Sequence, residues 1–222
     1  MPVITTRNLV KNYKNNGLEV RAVRGVSLSI EEGEFSAIAG PSGSGKTTLL
    51  NLIGGLDSPT SGSITVAGND LTALDREELS DMRLRKIGFV FQAYNLVPVL
   101  SALENVEYVL LLQGISRDER RERAMTILKD VGLEKETHRL PSEMSGGQQQ
   151  RVAVARSIVS DPDIILADEP TANLDQKTGE SLIDLMHNLN RQKKITFLFS
   201  THDPMVMERS EKLINLIDGQ VV

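Results

Sequence analysis

The stretch Phe35-Ser36-Ala37-Ile38-Ala39-Gly40-Pro41-Ser42-Gly43-Ser44-Gly45-Lys46-Thr47-Thr48 governs how the rest of the chain reads. Phe35 to Ala39 is an apolar run of strand length. Gly40 to Gly45 is glycine-rich, and Lys46 to Leu56 has the composition of a helix. Strand, glycine-rich loop and helix form the setting that a phosphate-binding loop requires, and Gly40 to Thr47 matches G-x-x-x-x-G-K-[ST]. The glycines let backbone N–H groups turn inward around an anion with no Cβ in the way. The helix that follows points its positive N-terminal end at the same anion. Lys46 adds a mobile positive charge for β and γ phosphates, and Thr47 offers a hydroxyl to Mg²⁺. The candidate phosphate-binding set is therefore Gly40, Pro41, Ser42, Gly43, Ser44, Gly45, Lys46, Thr47 and Thr48.

Working outward, Ile164-Ile165-Leu166-Ala167-Asp168-Glu169 is an apolar strand ending in two carboxylates. Such a strand delivers acid to the C-terminal edge of a sheet, where open α/β sheets bind ligands. Asp168 is placed to hold Mg²⁺, directly or through water. Glu169, one residue on, points elsewhere and can act as general base toward an attacking water. Between the two motifs, Ser145-Gly146-Gly147-Gln148 opens a predicted helix, with Val152, Ala155 and Val159 on one face. A hydroxyl, two glycines and a helix N-terminus make a second anion site.

The remaining pattern supplies the frame. Val26, Leu28 and Ile30 alternate with Ser27 and Ser29, as in a half-buried strand. Gly62 to Val66, Ile87 to Phe91 and Ile195 to Phe199 read as further strands, and Lys212 to Ile217 is a final apolar segment closed by Asp218-Gly219. Ser101 to Gly132 and Gln176 to Arg191 read as helical, and Glu119 and Arg123 can pair at i,i+4 on a solvated face. Strands alternating with helices indicate an α/β domain with a mainly parallel sheet.

Composition narrows the function classes. The chain has 222 residues, 40% of them apolar, which suits one domain with a substantial core. Its formal net charge of -5 argues against general nucleic-acid binding. With no cysteine, a disulfide framework and a thiolate metal site are excluded. His138, His187 and His202 lack zinc-ligand spacing. The start Met1-Pro2-Val3-Ile4-Thr5 has no signal-peptide pattern. The mid-chain aliphatic run Val109 to Leu112 falls far short of the roughly 20 residues of a membrane span. Any membrane part is expected to be a separate polypeptide.

Ser145 to Gln148 also separates the chain from other phosphate-loop proteins. Here it resembles the ABC ATPase family, whose signature is S-G-G-Q, with Met144 where the family usually has Leu. The resemblance runs from about Asn8 to Gly219. It implies a P-loop NTPase core with a mainly parallel sheet, an antiparallel β subdomain and a helical signature subdomain at about 93–160, all within one nucleotide-binding domain over 1–222. It further implies that Tyr13 stacks on adenine and that Gln92 senses Mg²⁺ and the attacking water. Leu174-Asp175 would cross a dimer interface, and His202 would contact the γ-phosphate. Ser145, Gly146, Gly147 and Gln148 would bind the γ-phosphate held by a second copy. ATP, Mg²⁺, an ATP-dependent homodimer and separately encoded integral membrane subunits follow as expectations, at the cytoplasmic face of the inner membrane.

Gly54 to Gly62, Phe91 to Leu96, Glu104-Asn105-Val106 and Leu166 to Asp175 look like the lipoprotein-releasing and macrolide-exporting subfamily, although Ala172 stands where Gly is more usual. Cell-division ATPases of the same type are close rivals, and signalling to a cell-wall hydrolase is an alternative output. No room is expected after Val222 for the regulatory domain of sugar importers. DNA-repair members insert long coiled coils and ribosomal members carry two cassettes; neither pattern is present. Glu104 is read either as a partner contact or as a local helix cap.

Overall fold

The computed structural model describes residues 1–15 and 18–222. Two sheets organise it. Strands β1 (Pro2–Asn15), β2 (Leu18–Glu31), β4 (Ser61–Val66) and β5 (Asn69–Asp70) form an antiparallel sheet in the order β2-β1-β4-β5. Strands β3 (Phe35–Ala39), β6 (Ile87–Val90), β7 (Ile164–Asp168), β8 (Thr196–Thr201), β9 (Lys212–Ile217) and β10 (Gln220–Val221) form the second, in the order β10-β9-β3-β8-β7-β6. All neighbours in it are parallel except β9 and β10. The helices are α1 (Lys46–Ile53), α2 (Arg76–Lys86), α3 (Ala102–Leu112), α4 (Arg117–Asp130), α5 (Gly146–Ile158), α6 (Gln176–Lys193) and α7 (Pro204–Arg209).

The central strands are apolar on both faces because each face meets a different core. Phe35 and Ala37 of β3, Ile165 and Ala167 of β7, and Phe197 and Phe199 of β8 enter one cluster with α3, α4, α5 and α6. Ile38, Ile164, Leu166 and Leu198 enter a second cluster with α1 and the antiparallel sheet. The two-residue period of a strand thus sorts a continuous apolar run into two layers. Phe35 is the pivot of the first layer, with ring centroids 5.6 Å from Phe197 and 4.7 Å from Phe199.

Two expectations about helices differ in detail, and one helix carries a signal that periodicity does not show. The helix after the phosphate loop stops at Ile53 rather than Leu56. Gly54 caps it through its N–H to Leu50, and Gly55 turns away at φ 62°. The run from Ser101 to Gly132 is two helices, α3 and α4, because Gly114 takes φ 79° and Ser116 starts a new N-cap. Helix α2 was not expected, since it buries only Met82 and carries no apolar stripe. Its signal was the capping box Asp75-x-x-Glu78, which the structure forms on both sides.

Glu104 makes the local cap. Its carboxylate accepts from the Ser101 N–H at 2.8 Å, and its own N–H donates to Ser101 Oγ at 3.3 Å. The Ser101 N–H and hydroxyl, both donating to the carboxylate at 2.8 Å, hold its pKa below the usual range. Glu119 and Arg123 lie 3.7 Å apart on the exposed face of α4.

Candidate functional site

Three chain segments leave the parallel sheet at one edge: the loop after β3, the end of β7 and the end of β8. Register brings them side by side, with Ala39 opposite Thr201 and Asp168 opposite Ser200. The phosphate loop packs tightly against the fold behind it. Gly45 sits at φ 101°, and a Cβ there would lie 2.3 Å from the Ala22 carbonyl oxygen. No other residue type meets both conditions. Lys46, 6% exposed, donates from Nζ to the carbonyls of Gly40 at 2.8 Å and Pro41 at 3.1 Å. Thr47 Oγ1 donates to Asp168 Oδ1 at 3.1 Å.

Glu169 faces both Lys46 and His202. Its Oε1 is 2.7 Å from His202 Nδ1 and 3.8 Å from Lys46 Nζ. The Glu169 backbone is left-handed, at φ 46°. For a non-glycine residue this costs about 1–3 kcal/mol and persists only where surroundings impose it. Here the N–H is tied to Ser200 O at 2.9 Å, and the Glu169 carbonyl accepts from Ala172 N–H at 3.2 Å. The strain turns the carboxylate out of the strand direction and toward His202, while Asp168 stays with Thr47.

A cavity of about 480 Å³ opens beside the loop. It is lined by Gly43, Gly45, Lys46, Thr47 and Thr48, by Glu19 to Ala22 and Arg24 of β2, and by Asp218-Gly219. A backbone loop, an ammonium and two threonine hydroxyls line this space, and Thr47 and Lys46 connect it to Asp168 and Glu169, a set that fits a nucleotide triphosphate.

The other sequence candidates lie elsewhere in the same chain. Ser145 is the N-cap of α5: Oγ accepts from Gln148 N–H at 3.3 Å, and Gln148 Oε1 accepts from Ser145 N–H at 3.0 Å. Ser145 to Gln148 do not line the cavity. The two glycines of that segment are close-packing positions. A Cβ on Gly146 would lie 2.7 Å from Tyr94 Oη, and one on Gly147 would lie 2.4 Å from Thr178 Cγ2. Asp175 caps α6, accepting from Thr178 N–H at 3.1 Å and Thr178 Oγ1 at 2.6 Å. The Thr178 hydroxyl and N–H pull its pKa down.

Gln92 is exposed and follows β6. The loop that carries it is held by its carbonyls. Asn173 Nδ2 donates to Gln92 O at 2.9 Å, and Gln150 Nε2 reaches Phe91 O at 3.4 Å and Pro170 O at 2.9 Å. Arg156 donates to Asn95 O at 2.5 Å and Tyr94 O at 2.9 Å. Tyr94 and Asn95 are both left-handed, at φ 59° and 50°. Sequence reading missed Gln150, Arg156 and Asn173, since no local pattern says which carbonyl a distant side chain will meet.

Tyr13 stands on β1, 38% exposed. Its hydroxyl donates to Asp57 Oδ2 at 2.7 Å. Burial, then the Asp57 carboxylate, raises the phenol's pKa. Burial alone would raise Asp57 as well, but hydrogen bonds from Lys11 and Tyr13 outweigh it and hold that carboxyl below its ordinary value.

Among the described residues no helix is long and apolar enough to cross a membrane. Residues 23–172 match the model of the ABC transporter family. The chain is 47% identical over 221 residues to the lipoprotein-releasing system ATP-binding protein LolD of Syntrophus aciditrophicus, covering 99% of each chain. It is 44% identical to the macrolide export ATP-binding/permease protein MacB of Hyphomonas neptunium, covering 100% of this chain but 34% of that one. It superimposes with a TM-score of 0.91 on the dimeric ATP-binding cassette MJ0796 of Methanocaldococcus jannaschii in a post-hydrolysis state bound to ADP and Pi, at 46% identity, covering 98% of this chain and 96% of the other. With the phosphate loop, the paired carboxylates and the S-G-G-Q helix already placed, these matches mean that the chain belongs to the ABC transporter family, as an ATP-binding cassette subunit.

Proposed function

We propose that two copies of this chain sandwich two ATP molecules, hydrolyse them, and so move separately encoded integral membrane subunits. The observation that carries the reading is the cluster at the sheet edge, where Glu169 Oε1 lies 2.7 Å from His202 Nδ1 and 3.8 Å from Lys46 Nζ, beside the Thr47–Asp168 pair. Backbone N–H groups of Gly40 to Gly45 and the N-terminus of α1 bind the phosphates. Lys46 exchanges its hold on the loop carbonyls for charge-assisted contacts to the β and γ phosphates. Glu169 takes the proton of a water that attacks the γ phosphorus, and the bond to the β–γ bridging oxygen breaks. His202 holds the Glu169 carboxylate in position and would contact the γ-phosphate.

Thr47, Asp168 and Gln92 are the residues that would hold Mg²⁺. Few protein ligands suit an ion that binds mainly to phosphate and water. When bound, Mg²⁺ supplies charge neutralisation on the phosphates.

The dimeric relative bound to ADP and Pi supports a site completed by a second copy's signature helix, Ser145 to Gln148. Asp175 would lie at that junction, and Tyr13 would stack on the base. Residues 93–160 would act as the signature-bearing subdomain that transmits closure to the partner. The cassette would sit at the cytoplasmic face of the inner membrane, and the relatives named for lipoprotein release and macrolide export support a role in lipoprotein release or efflux-type export.

Glu169→Gln tests the chemistry. It keeps size and hydrogen bonding but removes basicity. Turnover is expected to fall by about 10²–10⁴-fold, with ATP binding retained and an ATP-bound dimer accumulating on size exclusion. Near-normal turnover removes Glu169 from this role. Affinity purification from detergent-solubilised membranes tests the partner: a stoichiometric integral membrane protein is expected, and recovery only with ribosomes or DNA contradicts it.

A further inference from the structure

Tyr13 is not a free-standing aromatic. Asp57 Oδ2 accepts its hydroxyl at 2.7 Å, and Asp57 Oδ1 accepts from Lys11 Nζ at 2.6 Å. The same ammonium donates to Ser58 O at 2.7 Å and stands over the Tyr13 ring, 4.9 Å from its centroid. The Lys11 side chain is only 13% exposed. One carboxylate thus joins both handles on the ring: the hydroxyl edge and the cation on one face.

The position of this group is informative. Lys11 and Tyr13 lie on β1, whereas Asp57 lies just beyond α1, the helix that starts in the phosphate loop. The turn around Asp57 is pinned to β1 at two further points. Asn12 N–H donates to Thr60 Oγ1 at 3.0 Å, and Thr60 N–H donates to Val10 O at 2.8 Å. The antiparallel sheet is therefore locked to the phosphate-loop helix at the level of Tyr13.

We propose that Lys11 and Asp57 are positioning and specificity-determining residues for the nucleobase, acting through Tyr13. The inference rests on the reading of Tyr13 as the base platform. A cation on one face draws π density toward itself. The opposite face becomes less negative and so repels the π cloud of an electron-rich base less. Asp57 keeps the cation there and fixes the phenol oxygen, so the side chain cannot swing about Cα–Cβ away from the stacking position. The pair thereby favours an electron-rich purine triphosphate, and it sets the distance between base and phosphate sites through α1.

The test separates base from phosphate recognition. ATP and inorganic tripolyphosphate are titrated calorimetrically against the full chain and its Lys11→Met, Asp57→Asn and Tyr13→Ala variants, with Tyr13→Phe as a milder probe of the hydroxyl handle. Lys11→Met and Asp57→Asn are expected to weaken ATP about three- to tenfold, the range of one aromatic stacking contact, and to leave tripolyphosphate unchanged. Tyr13→Phe should fall between these variants and the parent. If Tyr13→Ala weakens ATP selectively while Lys11→Met and Asp57→Asn do not, the proposal fails and the platform reading stands. If Tyr13→Ala weakens neither ligand selectively, the platform reading fails and takes the proposal with it. Equal weakening of both ligands in Lys11→Met and Asp57→Asn overturns the proposal in favour of a purely structural lock.

Discussion

Glu169 Oε1 and His202 Nδ1 lie 2.7 Å apart although 33 residues separate them in the chain. The contact exists because β7 and β8 are parallel neighbours and because Glu169 leaves its strand at φ 46°. A residue in ordinary extended conformation would project its carboxylate to the face of the sheet opposite that of Asp168 instead. His202 is therefore expected to matter through geometry. His202→Ala should lower turnover by about 10²-fold, the cost of a misplaced reacting group, while ATP affinity changes little. Steady-state kinetics with a parallel binding titration checks this, and an unchanged kcat would show that the pair is incidental.

The trans arrangement has its own test. A Lys46→Ala chain and a Ser145→Arg chain are each expected to be inactive. Mixed, they form one composite site with both defects and one with none. Partial recovery of ATPase activity is expected, measured with the membrane partners present if the isolated chains do not pair. Mixed dimers that form but show no activity would mean that each copy hydrolyses ATP alone.

Arg156 fastens two consecutive left-handed residues, Tyr94 and Asn95, by their carbonyls. A lysine amine cannot reproduce the planar fork of a guanidinium. In Arg156→Lys the loop after Gln92 should loosen, with faster amide exchange over residues 92–96 and a several-fold loss of turnover. Hydrogen-exchange mass spectrometry reads the loop directly. Parental protection in that segment would place the control of the loop with Gln150 and Asn173 instead.

Gly147 lies in helix α5, where alanine is ordinarily the better helix former. Here a Cβ would meet Thr178 Cγ2 at 2.4 Å. Gly147→Ala is expected to destabilise by about 1–3 kcal/mol, as overpacking does, and to reduce activity. Adding Thr178→Ser removes the offending methyl but keeps the hydroxyl that Asp175 accepts, so stability should recover in part. Thermal melts of the single and double variants decide it; no rescue would relocate the clash.

Phe35 is fully buried and touches Phe197, Phe199 and the His187 ring, whose centroid is 5.1 Å away. Phe35→Ala should cost about 3–5 kcal/mol by leaving a cavity between the sheet and its helices. Equilibrium urea unfolding measures it, and a loss under about 1 kcal/mol would show that the layer collapses around the gap.

What sequence alone determined here was everything encoded within a few neighbouring residues. The strand–loop–helix around Lys46, the acid-ended strand at Asp168 and Glu169, and the S-G-G-Q helix start are local, and they were enough for the α/β class and the family. Even α2, which was overlooked, had a local mark in Asp75 and Glu78. Tertiary structure decided what those residues touch. That Gly147 must clear Thr178, that Asp57 holds Tyr13 and that Arg156 holds the loop after Gln92 are all contacts between distant segments. A periodic pattern tells which face of an element is buried. It does not tell which neighbour it is buried against, because that depends on sheet order and register, and these are settled only when the whole core packs together.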